Sequence, residues 1–375
     1  LSEERLNRMV FNAEDLSVDG VRALQPYQPG KSVKELEREL GLSNIVKLAS
    51  NENPRTSSDV IAKALAQQES DTSRYPDGSG WVLKTRLSEL LGVSTDQLTL
   101  GNGSNDVLEL LVRAFVGPGQ GVVVSEHSFA VYSLAASAVG ADLKIAPARS
   151  WGHDLEAMLS LVDRNTRVVF IANPNNPTGT WVESEALLSF LDRVPETTIV
   201  VVDEAYYEYC EGPEFPNAID FLEEYPFLVS TRTFSKIYGL AGMRVGYSVS
   251  STAIADLLNR VRQPFNVNSF GLAAARLALD DAVFLAESRR LNTQGRARIY
   301  AGFSELGLEY IPSAGNFICV NVARPAISVY ETMLKQGVIV RPVANYGLPN
   351  HLRVTVGLPD ENETMISAIS VALTS

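Results

Sequence analysis

The sequence predicts an α/β protein: a large, mostly parallel sheet domain sandwiched by helices, with a smaller α+β domain beside it. Three observations predict this. Nearly continuous apolar runs of strand length alternate with segments of helix length, each run ends in polar residues, and the character of the chain changes near residue 270. A strand covered on both faces reads as an unbroken apolar run, as in a parallel sheet buried between helices.

In chain order, the first 30 residues, ending in LQPYQPGK at 24–31, read as an arm. The sheet-forming runs follow as VVVSE at 122–126, VVFIAN at 168–173, TIVVVDEAY at 198–206 and FLVSTRTFS at 227–235. From about 270 an Ala/Leu/Arg-rich helical stretch extends to Leu306, with short strands near 316–322 and 351–356. The expected division is an N-terminal arm over 1–30, a small domain from 31–51 and 270–375, and a large domain over 52–269. Ligands of open α/β sheets sit beyond the carboxyl ends of the strands. His127, residues 173–176, Asp203, Tyr206, Ser235 and Lys236 should therefore converge on one crevice.

Composition narrows the function. The 375 residues are 45% hydrophobic and 20% charged, with a net charge of -12, and no basic cluster offsets that balance. A nucleic-acid or anionic-membrane partner is disfavoured. The two cysteines, Cys210 and Cys319, have neither CxxC nor paired His/Cys spacing, which predicts no disulfide framework and fits a reducing cytoplasm. His127, His153 and His351 are scattered, so a metal site is not expected. No apolar run approaches 18 residues and no signal-type segment opens the chain, so neither membrane spanning nor export is expected.

Four segments carry candidate chemistry. In GNGSNDVLELLVRAFV at 101–116, Gly, Ser and Asn precede a helix of 3.6-residue period. Free N–H groups at such a helix start, with Ser104 and Asn105, suit a phosphate, although either residue is also an ordinary N-cap. NPNNPTG at 173–179 must be a turn, and Asn176 there either donates to a phenolate-type oxygen or closes an Asx-turn. Asp203 ends the most hydrophobic run, where an unpaired carboxylate is costly. It needs a cation such as a protonated pyridine, the alternatives being a metal or a loop cap. Tyr206, three residues on, offers an O–H to the oxygen Asn176 would reach. Phe129 can cover a flat ring, or simply pack in the core. Lys236, in TRTFSKIYGLAGMRVGY at 231–247, reads as a Schiff-base lysine with Arg244 as a nearby cation, although a lone Ser-Lys pair before a Gly-rich turn is more often an ordinary exposed loop. Phosphate, ring oxygen, ring nitrogen and aldehyde together are what pyridoxal 5'-phosphate requires.

With these residues in view, the chain resembles the fold type I, aspartate-aminotransferase-like pyridoxal-phosphate enzymes. Within them it is similar to the class II, histidinol-phosphate aminotransferase group. The further motifs are SNENP at 50–54, RYPDG at 74–78, GNFICV at 315–320, GVIVRP at 337–342 and HLRVTVG at 351–357. The resemblance implies that Lys236 holds the cofactor and then shuttles a proton, with Asp203 on the pyridine N–H, Asn176 and Tyr206 on the phenolate oxygen, and Phe129 on the ring face. It implies Ser104, Asn105, Thr233, Ser235 and Arg244 around the phosphate. Tyr75 would reach the phosphate of a neighbouring subunit, making a homodimer. Arg353 would bind the carboxylate of glutamate, and Tyr27, Arg341 and Asn316 would line the substrate pocket.

Two departures stand out. Arg55, Thr56, Ser57 and Ser58 replace a usual Leu-Gly-Pro-like turn, and Phe129 replaces a frequent tyrosine. The expected reaction moves an amino group between glutamate or 2-oxoglutarate and the histidinol phosphate pair. An aromatic amino acid aminotransferase, a phosphothreonine-type decarboxylase and a cofactor-binding regulatory domain are the alternatives.

Overall fold

Desolvated β-branched and aromatic residues build the centre of the molecule. A computed structural model describes residues 12–24, 30–55, 58–67 and 73–374, so Tyr27, Thr56 and Ser57 lie outside the described residues. The large sheet has seven strands: β1 (Leu98–Gly101), β2 (Gly121–Ser125), β3 (Asp142–Ala146), β4 (Thr166–Ala172), β5 (Ile199–Asp203), β6 (Leu228–Thr233) and β7 (Gly246–Ser250). Their order is β1-β7-β6-β5-β4-β2-β3. Only β7 runs against its neighbours, β1 and β6; the other pairings are parallel.

The side-chain period of two assigns these strands to two cores. Val122, Val124, Val168, Phe170, Val201 and Val229 enter one, shared with the helix Ser104–Phe115. Val123, Val169, Ile171, Val200, Val202 and Leu228 enter the other. The four expected runs correspond to β2, β4, β5 and β6. The apolar-run criterion did not mark β1, β3 or β7. In β3 four of five residues are exposed or half-buried, so DLKIA is not continuously apolar. Ser248 and Ser250 interrupt β7 although both are buried.

A second sheet is antiparallel throughout: β8 (Glu309–Ile311), β9 (Phe317–Asn321), β10 (Arg341–Val343) and β11 (Leu348–Thr355), in the order β8-β9-β11-β10. Ile318, Val320, Leu352 and Val354 pack there against Ile299 and Phe303 of the helix Ala282–Glu305 and Met365 and Ile369 of the helix Pro359–Thr374. Leu48 joins this core, and Val46 and Lys47 pair with Val338 and Ile339.

Register positions the chemistry. Ala172 faces Asp203 across β4 and β5, and Asp203 faces Thr231 across β5 and β6. Gly246 lies between Thr233 and Gly101, which brings the segment after β6 beside the start of the helix Ser104–Phe115.

Asp203 and Glu204 serve opposite faces of the sheet. Glu204 is fully buried and accepts from Arg232 Nη2 at 2.9 Å, Ser230 Oγ at 2.6 Å and the Ala218 N–H at 2.9 Å. Arg232 is completed by Asn217 Oδ1 at 2.6 Å and by the Tyr207 ring, 4.0 Å from its guanidinium carbon. Removing one partner strands the other charge in a dry environment. Arg232→Met should cost about 3–5 kcal/mol in denaturant unfolding, and adding Glu204→Leu should recover most of it.

Burial pushes the nearby Glu208 carboxyl up to about 7, with the Arg232 charge pulling it down. The unfolded chain gives up that proton near the ordinary value of 4.5, so the folded state holds more protons between 4.5 and about 7. Stability from this group therefore falls as pH rises through that window. Glu208→Gln should flatten the wild-type slope, as measured by unfolding midpoints at the two ends of the window.

Candidate active site

A cavity of about 270 Å³ opens beyond the carboxyl ends of β4, β5 and β6. Twelve of the expected site residues line it: Ser104, Asn105, Phe129, Asn176, Asp203, Tyr206, Thr233, Ser235, Lys236, Arg244, Arg341 and Arg353.

One corner is an anion cradle. Gly103 is the N-cap of the helix Ser104–Phe115, with φ of 83° and no side chain capping the helix. The N-cap role open to Ser104 or Asn105 is therefore not taken up, and the first-turn N–H groups keep their capacity to donate. Arg244 closes the corner, with Nη1 donating to Ser235 Oγ at 3.2 Å and Nη2 to the Asn102 carbonyl at 3.4 Å. Among the described residues it has no carboxylate partner within 4.0 Å. A Cβ on Gly103 would come within 2.3 Å of Arg244 Nη2, so only glycine lets helix start and guanidinium approach this closely.

A second corner is Asp203, which is 5% exposed. Its Oδ2 accepts from Tyr132 Oη at 2.7 Å, and its Oδ1 from Thr231 Oγ1 and the Ala205 N–H, both at 3.2 Å. These bonds lower its pKa, but burial outweighs them and the carboxyl is raised above 3.8. A nearby cation would offset that cost.

A third corner holds Asn176 and Arg353. Asn173 and Asn175 brace the 173–179 turn, Asn173 through Val182 and Asn175 through Thr178 Oγ1. Asn176 makes no Asx-turn there. Its Oδ1 accepts from Arg353 Nη1 at 2.5 Å, while Arg353 Nη2 donates to the Ala49 carbonyl at 2.7 Å. With Oδ1 engaged, the Asn176 NH₂ is left to donate elsewhere. Arg353 Nε is buried without a hydrogen-bond partner among the described residues. Lys236 Nζ lies 3.3 Å from the Ser50 carbonyl and 5.4 Å from the centre of the Tyr206 ring.

Asn316 does not line the cavity. It is 1% exposed and donates through Nδ2 to the Asn51 carbonyl at 3.1 Å, so it supports the 50–54 segment from behind. Tyr75 also lies outside, 81% exposed and stacked on Phe265 at 4.6 Å. Tyr27 falls outside the described residues. Of the other lining residues, Asn51 and Tyr132 bond to site side chains and were not singled out from the sequence. Tyr132 lies three residues after Phe129, one helical turn on, and that spacing was the only signal for it.

The family model for class I and II aminotransferases matches residues 43–369. The chain belongs to the class I and II aminotransferases. It is 58% identical over 360 residues to histidinol-phosphate aminotransferase 2 of Pseudomonas fluorescens strain Pf0-1, covering 96% of this chain and 97% of that protein. It is 56% identical to the protein of the same name in Pseudomonas aeruginosa, covering 96% and 98%. Among solved structures it is similar to the histidinol-phosphate aminotransferase of Sinorhizobium meliloti in complex with pyridoxal-5'-phosphate, with TM-score 0.87, 29% identity and coverage of 95% and 97%.

For this aminotransferase the donor set fits the expected cofactor. The helix start and Arg244 suit a phosphate dianion, and the glycine-lined approach leaves it room. Asp203 suits a ring N–H⁺, and Asn176 and Tyr206 suit a ring oxygen. Phe129 suits a ring face, and Lys236 an aldehyde. Gly103→Ala should cost about 1–3 kcal/mol of stability, because its backbone region is nearly closed to other residues. The same change should raise the dissociation constant for pyridoxal phosphate roughly tenfold by displacing Arg244, as read by cofactor titration.

Proposed function

We propose that this aminotransferase uses pyridoxal 5'-phosphate to move an amino group between histidinol phosphate and 2-oxoglutarate, yielding imidazole acetol phosphate and glutamate in histidine biosynthesis. One observation carries the reading. The cavity has cationic groups in two places, Arg244 at the helix start and Arg341 with Arg353 from the small sheet, so it can take a cofactor phosphate and a second anion together. The second anion is the substrate phosphate in one half of the cycle and the glutamate carboxylates in the other. Relatives more than half identical over nearly the whole chain carry the matching name.

Pyridoxal phosphate, when bound, supplies an aldehyde for amines and a protonated ring that withdraws electrons from the substrate's amine-bearing carbon. In this reading Ser104, Asn105, Thr233, Ser235 and Arg244 hold the phosphate, and Asp203 keeps the proton on the ring nitrogen. Tyr132 and Thr231 orient that carboxylate. Asn176 and Tyr206 donate to the ring oxygen, and Phe129 covers a ring face. Lys236 Nζ would hold the cofactor and, once the substrate amine has displaced it, would be the base that takes and returns the proton at the substrate carbon. Arg353 binds a planar carboxylate or phosphate as a fork and keeps the Asn176 amide turned.

The reading extends to a homodimer in which Tyr75 reaches the neighbouring subunit's phosphate, supported by its 81% exposure. Tyr27 and Arg341 belong to the substrate pocket on this reading, and Asn316 acts behind it. The arm, small domain and large domain are proposed with the boundaries given above. A cytoplasmic setting is part of the reading, supported by two free cysteines. Among the described residues no helix is long and apolar enough to cross a membrane.

Steady-state kinetics of the cofactor-loaded protein test it. We expect kcat/KM for histidinol phosphate to exceed that for phenylalanine by roughly a hundredfold or more, because the pocket loses a paired dianion with the latter. Lys236→Ala should abolish both turnover and the visible absorption of the bound cofactor. A preference for phenylalanine would reassign the substrate, and carbon dioxide release without amino transfer would reassign the reaction.

A further inference from the structure

We infer that Asn51 is a positioning residue that sets the direction of the Tyr206 hydroxyl proton, and that Thr355 sets Asn51 in turn. This rests on the reading above, in which Tyr206 donates to the ring oxygen of the cofactor. Asn51 Nδ2 lies 2.9 Å from the Tyr206 oxygen. An amide nitrogen only donates, so the phenol oxygen accepts at this contact and its single proton is left for another acceptor. Tyr206 and Asn51 both line the cavity, so that acceptor is the ligand.

The amide is itself fixed in orientation. Thr355 Oγ1 accepts from the Asn51 N–H at 2.9 Å and donates its own proton to Asn51 Oδ1 at 3.3 Å. With Oδ1 taking the Thr355 hydroxyl proton, Nδ2 is the end of the amide that faces Tyr206. Asn51, Thr355 and Tyr206 are 1%, 3% and 4% exposed, so little water competes for these bonds. Burial keeps the Tyr206 phenol protonated, with Arg353 and the Asn51 bond pulling the other way. Asn51 has φ of 54°, a left-handed conformation that asparagine tolerates better than other residues with a side chain. Asn316 Nδ2 holds its carbonyl at 3.1 Å. Thr355 ends β11 of the small sheet while Tyr206 follows β5 of the large one. The direction of one proton at the large-sheet site is thus set from the small sheet.

The test is a pH titration of the visible absorbance of cofactor-loaded protein, with the cofactor dissociation constant measured alongside. A proton aimed at the ring oxygen stabilises its anionic form and lowers the titration midpoint. Asn51→Gly fits the left-handed backbone and removes the side chain that carries the amide, and it should raise the midpoint by on the order of one unit, the equivalent of one hydrogen bond to a charged group. Thr355→Val should shift it the same way by less. In a Tyr206→Phe background Asn51→Gly should add nothing. An unchanged midpoint in Asn51→Gly, or an equal shift with and without Tyr206, overturns the inference. If Asn51→Gly fails to fold, an unchanged midpoint in Thr355→Val overturns it instead. A wild type with no titrating band removes the cofactor reading, and this inference with it, which is distinct from a band whose midpoint does not move.

Discussion

A carboxylate held almost out of water at the end of the central strand is the constraint on which the rest of the site depends. Asp203 is placed there by β5, whose apolar run must be buried on both faces, so the chain cannot hydrate it without opening the sheet. Three donors from three different segments, Tyr132, Thr231 and the Ala205 N–H, hold its oxygens. Three hydrogen bonds do not overcome the desolvation, and the raised pKa records the difference. In the proposed reading an aromatic ring carrying N–H⁺ would supply the missing charge, so the cost of burying the carboxylate would favour binding of the cofactor.

The neighbouring Glu204 meets the same problem with the opposite solution. It faces the other side of the sheet and is given a permanent partner, Arg232, together with Ser230 and the Ala218 N–H. One buried carboxylate is paired with an arginine, and the other is held by neutral donors alone. The alternation of side chains along a strand is what allows two adjacent acids to have such different roles.

Much of the site was legible because cofactor chemistry demands particular residue types at strand ends. Lys236, Asp203, Asn176, Tyr206 and the 101–105 cradle could each be named with a role, and the structure gathers them around one cavity. The four continuous apolar runs likewise appear as β2, β4, β5 and β6. In β3 most residues are exposed or half-buried, in β7 buried serines interrupt the apolar run, and β1 is only four residues long with Thr99 inside it, so none of the three reads as a continuous apolar run. Tyr132 and Asn51 escaped for a different reason. They touch other side chains of the site, and a contact between residues 71 or 155 positions apart leaves no local signature. Asn316 shows the converse, since its motif pointed to the pocket while its amide is spent on the backbone behind it.

The sequence alone determined the class of fold and the cofactor, and named residue types suited to it, because strand-length apolar runs and strand-end polar groups are local properties read directly from residue order. Only the tertiary structure decided how those groups are aimed. Which way the Asn176 amide is turned depends on Arg353 of β11, and which way the Tyr206 proton points depends on Asn51 and Thr355. Hydrogen-bond direction is a property of pairs brought together across two sheets, so it exists only once both sheets have packed.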